Sequence, residues 1–381
     1  MVRNPDFDQI RPYIDEEVPG VIQRIVNEKG FLKVIGFFFP EVPIDAIVNN
    51  LLQVKSIYEF QSGFVKKLTE KIISSSTTNL TSSGLENLDK TKSYLFVTNH
   101  RDIVLDSSLL NYVLFHKGFD TTETGIGSNL LILKWITDLV KLNKTFIVKR
   151  NLPKLEFYNY SILLSKYIRY TITEKKVSIW IAQREGRTKD GFDKTQSGLL
   201  KMFNISGKKS FEENFKELNI VPVSISYEFE PCDAEKVTEL YNKMIDVNFK
   251  KTKLEDMMSM GKGMITPKGH VHYSFGTPLN HEIDDIPDSV NKNDKLHSIA
   301  EIIDKKIYQM YRLTPINYAA ASYLFDTDIY NDKFTKEDLE KLDAYMYKSM
   351  AKMVGDTTIM RKMFLEIYAF PAHNYEKYKS L

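Results

Sequence analysis

Residues 94–106 read YLFVTNHRDIVLD, an apolar run of strand length that enters a polar turn and then a helical pattern from Asp102 to Phe115. Further apolar runs of strand length lie at residues 145–148, 177–182, 220–227 and 270–275, and helical segments such as 158–174 separate them. Strands that alternate with helices predict an α/β fold with a mixed, largely parallel sheet flanked by helices.

Helical patterns dominate on both sides of this region. Residues 1–88 form a predicted helical N-terminal region, residues 89–285 the α/β domain, and residues 286–381 a helical C-terminal extension with helices expected at 294–311 and 336–368. The Ser- and Thr-rich stretch 74–84, which ends in Gly84, is interpreted as a loop or boundary.

Composition excludes several classes of protein. With 43% apolar, 12% aromatic and 27% charged residues against 17 glycines and 13 prolines, the 381-residue chain is neither collagen-like nor disordered. The 52 basic residues are balanced by 50 acidic ones, which argues against a nucleic-acid-binding protein. A lone cysteine, Cys232, excludes an internal disulfide and a multi-cysteine zinc site. Because no signal core and no stretch of about 20 apolar residues is visible, we expect a cytoplasmic protein.

His100 is the first candidate catalytic residue. It follows a strand at its carboxyl end, which is the edge where open α/β sheets bind ligands. A histidine there, with a carboxylate a few residues on, is suited to act as a general base toward an alcohol. The alternative is that His100 caps the following helix and Asp102 complements the helix dipole.

A second candidate site lies at residues 141–154, which hold five cations and no acidic residue. Phe146-Ile147-Val148-Lys149-Arg150 is an apolar strand that ends in two cations. Lys149 and Arg150 suit a phosphate, arginine by paired hydrogen bonds and lysine as a point charge. Lysines that serve only solubility are the alternative.

Two more strands complete the pattern. The first leads into Gln183-Arg184-Glu185-Gly186-Arg187-Thr188, a charged loop in which Gly186 allows close backbone approach to a ligand. An ordinary surface loop would look similar. The second, residues 220–228, contains Val221-Pro222-Val223 and by itself indicates only a buried strand.

Taken in order, these four blocks resemble the four motifs of the glycerolipid acyltransferase superfamily, the glycerol-3-phosphate and lysophosphatidate acyltransferases, over residues 90–280. Several details are similar to the glycerol-3-phosphate branch: the basic pair in 146–150, the stretch from Arg187 to Gly191, and residues 311–318. The resemblance implies a glycerol-3-phosphate acyltransferase-like fold.

One residue departs from the family pattern. The family's first motif is His, four residues, then Asp, but the equivalent position here is Leu105 and the carboxylate follows at Asp106. We interpret Asp106 as the partner of His100, with Asp102 as its rival. Since Asp102 and Asp106 are four apart, both are expected on one helix face.

The resemblance implies direct acyl transfer. His100, oriented by Asp106, would deprotonate the hydroxyl of glycerol-3-phosphate, which attacks the thioester of acyl-CoA or acyl carrier protein. The expected substrate-binding residues are Arg101, Lys149, Arg150, Glu185, Gly186, Arg187 and Thr188. No metal or cofactor is expected beyond the acyl donor as co-substrate.

Two other functions stay open. The acceptor is alternatively 1-acylglycerol-3-phosphate or another lyso-lipid. The one-residue shift at Asp106 also leaves open a catalytically inactive lipid-binding module.

A lipid product implies peripheral membrane contact, expected on the inner face of the membrane. The candidate surfaces are residues 37–39 with nearby Lys33, and residues 130–140 with Lys134 and Trp135. Both are alternatively core helices.

Overall fold

The computed structural model describes residues 4–380. Its strands are β1 (Thr77–Ser83), β2 (Leu95–Thr98), β3 (Glu123–Gly127), β4 (Thr145–Val148), β5 (Ile179–Ala182), β6 (Ile220–Tyr227) and β7 (Gly269–Phe275). Its helices are α1 (Val18–Ile25), α2 (Lys29–Phe38), α3 (Ile44–Leu52), α4 (Ile57–Glu59), α5 (Lys66–Ser76), α6 (Leu105–His116), α7 (Lys134–Leu142), α8 (Lys154–Thr173), α9 (Ser197–Asn204), α10 (Phe211–Lys216), α11 (Asp233–Ile245), α12 (Lys253–Ile265), α13 (Asn280–Asp284), α14 (Lys292–Gln309), α15 (Pro315–Phe325), α16 (Lys336–Met350) and α17 (Thr357–Tyr378).

The strands form one sheet in the order β1-β7-β6-β2-β5-β3-β4. The five strands from β6 to β4 are parallel to one another. β7 pairs antiparallel with β6 and parallel with β1, so these two strands run in the opposite direction. The predicted α/β class and its mixed, largely parallel sheet are confirmed.

Both faces of the sheet are covered, as a largely parallel sheet requires. β2 shows the alternation: Leu95 and Val97 enter the core beneath α8, α9, α10 and α14, whereas Phe96 enters the core beneath α5 and α6. All four residues of β2 are buried. The site described below therefore stands on a rigid central strand.

Two helical layers extend this three-layer body. The N-terminal helices α1 to α3 pack with α7 around a core of their own. The C-terminal helices α15 to α17 form another core, which also includes Val237 of α11. No helix within residues 4–380 is both long and apolar enough to cross a bilayer.

Three local expectations were wrong. The stretch interpreted as a loop at 74–84 contains β1, an edge strand held by β7. β3, which carries Gly125 and Gly127, escaped prediction. The helix expected at 336–368 is two helices, because the chain turns at 351–356 and the Asp356 side chain caps α17 by accepting from two amides. The divisions at residues 88 and 285 stay predictions, although β1 comes from the region predicted as helical.

The N-terminal region also covers the other edge of the sheet. The amide of Ile147 in β4 donates to the carbonyl oxygen of Ile10 at 2.9 Å. The first 83 residues therefore supply one outer strand of the sheet, β1, and a segment that lies along the other outer strand, β4.

Candidate active site

His100 lies in the irregular turn between β2 and α6, at the edge where the five parallel strands end. Its ring nitrogen Nδ1 is 2.8 Å from Oδ2 of Asp106, which stands in the first turn of α6. Residues 99–104 make the turn that brings these two side chains together. The His100 side chain is 14% exposed and the Asp106 side chain fully buried.

The Asp106 carboxylate is held by further donors. Its Oδ2 accepts from the amides of Arg101 at 2.6 Å and Asp102 at 3.0 Å, and its Oδ1 accepts from the Tyr227 hydroxyl at 3.0 Å. Burial raises the pKa of Tyr227 well above its ordinary value, with Tyr273 and Asp106 adding to the effect, so the hydroxyl stays a donor. Because a carboxylate fixes the proton on Nδ1, the His100 atom left to accept a proton is Nε2.

Asp102 has a different partner set. Its Oδ1 accepts from the amides of Val104 and Leu105, each at 2.8 Å, and so caps the start of α6. Its Oδ2 is buried without a hydrogen-bond partner among residues 4–380. Asp102 therefore borders the turn, but the hydrogen bond to His100 is made by Asp106.

Helix α12 is seated on this turn. A Cβ atom at Gly263 would stand 2.1 Å from Oδ2 of Asp102, so only glycine permits this approach. Lys268, at the start of β7, is fully buried on the same side, and burial lowers its pKa to about 8 against the opposing effect of Asp102. Helix α12 and Lys268 thus pack against one side of the turn and hold it in place.

Arg101, expected to bind substrate, is held in buried ion pairs. Its guanidinium is buried and donates to Asp193 at 2.5 Å, with Glu230 at 3.6 Å. Its carbonyl oxygen accepts from the Lys236 ammonium at 2.8 Å. The structure does not bring this side chain to the His100 ring; instead it anchors the turn from behind.

The loop after β5 is joined to the His100 turn through the backbone. The amide of Thr188 donates to the carbonyl oxygen of His100 at 2.8 Å. Gly186 has a φ of +72°, a left-handed conformation that favours glycine. Nη1 of Arg187 and Oγ1 of Thr188 are buried and have no hydrogen-bond partner within the described part of the chain. Such unpaired donors beside a catalytic candidate are suited to an anionic ligand.

Arg150 and Glu185 meet across this edge, with Nη1 of Arg150 3.0 Å from a Glu185 carboxylate oxygen. The Arg150 amide also donates to Oγ of Ser128, the residue after β3, at 3.1 Å. Lys149 does not join them. Its ammonium donates to Gln9 at 3.2 Å and lies over the Tyr160 ring, because successive residues leave a strand on opposite faces.

The sequence interpretation missed Tyr227, Ser128, Lys236 and Lys268. Tyr227 and Ser128 occupy the carboxyl ends of β6 and β3, so the rule that located His100 would have selected them once those strand ends were known. No sequence pattern indicated Lys236 or Lys268, because lysine is usually exposed and these two are buried only by the tertiary structure.

Within residues 4–380, no group of three or more His, Cys, Asp or Glu side chains is arranged to hold a metal ion.

Part of the chain is similar to known proteins. Residues 79–226 match the family model described as Acyltransferase, a range that includes His100, Asp106, Arg150 and the loop 183–188. A solved structure with detectable similarity is the 1-acyl-sn-glycerophosphate (LPA) acyltransferase PlsC from Thermotoga maritima, with 14% sequence identity and a TM-score of 0.36, covering 76% of this chain and 93% of that one. No curated protein matches the chain significantly.

Proposed function

We propose that this chain, whose residues 79–226 match the Acyltransferase family model, is an acyl-transferring enzyme of the glycerolipid acyltransferase superfamily and that its acceptor is glycerol-3-phosphate. The observation that carries the proposal is the Thr188–His100 backbone hydrogen bond, which joins a histidine–aspartate pair to the buried, unpaired donors of Arg187 and Thr188. A reactive hydroxyl and a phosphate that lie a few bonds apart in one small molecule suit this arrangement.

The proposed reaction starts with proton transfer. Nε2 of His100 takes the proton of the acceptor hydroxyl as the oxygen forms a bond to the thioester carbonyl carbon of acyl-CoA or acyl carrier protein. The C–S bond then breaks, and the thiolate leaves with the proton that His100 had accepted. The buried Asp106 carboxylate stabilises the imidazolium in between.

Phosphate binding is assigned to Arg187, Thr188 and Arg150. Arg187 and Thr188 offer donors that have no partner within residues 4–380, and Arg150 is held toward the same edge by Glu185. Glu185 is the residue proposed to orient the free hydroxyl once the acceptor draws Arg150 away. Lys149 is left out of the proposed phosphate site because its ammonium contacts Gln9.

The lone cysteine supports a reducing, cytoplasmic compartment, and a lipid product supports peripheral contact with the inner face of the membrane. Of the two surfaces considered from the sequence, Phe37 is 63% exposed whereas Phe38 is buried. Trp135 packs against Gly30 and Phe31, which favours a core role for the start of α7.

The test is thioester-dependent acylation of glycerol-3-phosphate by the purified protein, followed through release of the thiol. Cys232 is buried and its pKa is raised by burial to about 11, so the protein's own thiol adds little background. His100→Ala should lower kcat about 10²- to 10⁴-fold, whereas His297→Ala, which changes an exposed histidine of α14, should not.

Two results would change the assignment. Equal turnover by wild type and His100→Ala would show that His100 is not the base. If glycerol-3-phosphate is inert and 1-acylglycerol-3-phosphate reacts, the lyso-lipid acceptor is correct. The one-residue shift no longer supports an inactive lipid-binding module, since the contact between His100 and Asp106 is intact.

A further inference from the structure

The distal part of the hairpin formed by α11 and α12, residues 243–265, exposes apolar side chains at an unusual density. Six large exposed hydrophobic residues lie within these positions: Met244, Ile245, Val247, Leu254, Met258 and Ile265. Val247, in the connection between the two helices, is 92% exposed. Such a concentration of exposed apolar side chains marks a candidate interaction surface.

The apolar residues of α12 face outward in a regular stripe. Leu254, Met258 and Ile265 are spaced by four and seven residues, which places them on one face of the helix. On the inward side, the Ser259 carbonyl oxygen accepts from Cys232 Sγ at 3.3 Å, Gly263 lies against Asp102, and Met264 packs on the core beneath α5 and α6. Leu254, Met258 and Ile265 lie outside these contacts and stay exposed, so packing within the described residues does not account for the apolar stripe.

Positive charge accompanies the apolar residues. Positions 243–262 hold five lysines against three carboxylates, a net charge of +2 that equals the net charge of the whole chain. Lys250 in the connection is exposed and makes no ion pair within residues 4–380. By contrast, the acidic residues Asp233 and Glu239 of α11 lie buried at or toward the base of the hairpin. An apolar surface beside cations complements an anionic lipid headgroup layer.

The hairpin is also continuous with the candidate active site. Lys236 of α11 donates to the carbonyl oxygen of Arg101, and α12 contacts the turn Ser128–Leu130, whose first residue bonds the Arg150 amide. Leu130 of that turn is followed by the apolar residues 131–133, which are half-exposed or exposed. A bilayer that contacts the hairpin tip would therefore lie next to the edge that carries His100.

We propose that residues 243–265 are the surface by which this protein docks on an anionic lipid bilayer, with the hairpin tip entering the headgroup layer. The docking proposal rests on the proposed acyltransferase function, by which the enzyme forms a lipid product beside this surface. A bilayer fits better than a folded partner because the apolar side chains project outward as a stripe and a tip. Docking delivers the active site to the layer that receives the product.

The experiment is co-sedimentation of the full chain with vesicles of phosphatidylglycerol and phosphatidylcholine. The wild-type protein should bind these vesicles, and it should bind more weakly to vesicles of phosphatidylcholine alone or at high salt. The double variant Val247→Asp/Met258→Asp should lower the partition coefficient by roughly tenfold or more per side chain. The matched control is Ile329→Asp/Val354→Asp, which changes residues that are 70% and 87% exposed elsewhere, and it should bind like wild type.

A second measurement checks that the double variant is folded. With glycerol-3-phosphate and a water-soluble, short-chain acyl-CoA, and without vesicles, its turnover should equal that of wild type. His100→Ala should bind vesicles normally. Vesicle binding without acyl transfer by wild type would therefore refute the proposed function and leave the docking surface standing.

Three results would overturn the docking proposal. The first is equal vesicle binding by wild type and the double variant. The second is normal vesicle binding by the double variant with a rate loss only when the donor is acyl carrier protein, which would identify a protein partner. The third is a wild-type dimer, seen by analytical ultracentrifugation, that the double variant dissociates.

Discussion

Replacing Asp106 by asparagine tests the core of the proposed mechanism, since it removes one charge at nearly constant size. Oδ2 of Asp106 accepts three hydrogen bonds, from the His100 ring at 2.8 Å and from the amides of Arg101 at 2.6 Å and Asp102 at 3.0 Å. An amide oxygen in that place keeps the contacts but loses the charge that stabilises the imidazolium. A hydrogen bond to a charged group contributes about 1.5–3 kcal/mol, and each factor of ten in rate corresponds to about 1.4 kcal/mol. We therefore expect kcat to fall about 10- to 150-fold, and up to about 10⁴-fold if the amide nitrogen faces the ring and reverses its tautomer.

The assay is the initial rate of thiol release at saturating donor and acceptor, with thermal unfolding to verify the fold. Asp102→Asn is the control, because asparagine caps a helix about as well as aspartate and the Val104 and Leu105 amides keep an acceptor. Its kcat should stay close to wild type. A wild-type kcat in Asp106→Asn, or an equal loss in Asp102→Asn, would refute the pairing of His100 with Asp106.

Arg150→Ala should raise the KM for the phosphorylated acceptor about tenfold or more and leave the KM for the acyl donor unchanged. Lys149→Ala should alter neither KM, because the Lys149 ammonium contacts Gln9. Equal effects of Arg150→Ala on both substrates would contradict the phosphate role. Gly263→Ala should lower the free energy of unfolding, measured in urea, by about 1–3 kcal/mol, because the new Cβ would stand 2.1 Å from a buried carboxylate oxygen of Asp102. Gly261→Ala is the control in the same helix: its Cβ meets nothing within 4 Å, so the free energy of unfolding should stay the same or rise. Burial raises the pKa of Asp304 from 3.8 to about 6, so the folded state binds this proton more tightly. The stability from this proton is complete below about pH 3.8 and is lost as the pH rises through about 6. The free energy of unfolding of Asp304→Asn relative to wild type should therefore rise between pH 4 and 7, by up to about 3 kcal/mol; a constant difference in urea unfolding across that range would contradict it.

The sheet was predictable where strands are buried on both faces. β2, β4, β5 and β6 are short apolar runs, and a covered parallel sheet selects for such runs. β1 escaped prediction because it is an edge strand with half-exposed Ser and Thr side chains, and its hydrogen bonds to β7 define it. That pairing links residues more than 190 positions apart, which local sequence patterns do not register.

The candidate site was predictable to the level of strand ends. Parallel strands end at one edge, so His100, Arg150 and the loop 183–188 were expected to converge, and Glu185 does meet Arg150 there. The resemblance favoured Asp106 over Asp102 as the partner of His100, and the structure has that contact; local pattern alone could not decide between them, because the choice depends on backbone directions over residues 99–104. The same limit explains why Arg101 was wrongly expected to bind substrate. Its side chain points toward Asp193, and no sequence pattern indicates the direction of a side chain in an irregular turn.

The strand contributed by residues 77–83 has a consequence for any shortened form of this protein. Without it, β7 would present a row of free N–H and C=O groups to solvent, and loss of the Ile10 contact would do the same to β4. Such rows recruit strands from neighbouring molecules. A chain trimmed to begin at residue 89 would keep every proposed catalytic side chain and yet be prone to polymerise. Insolubility of that fragment would therefore reflect its exposed edge strands, β7 and β4, and not a defective active site.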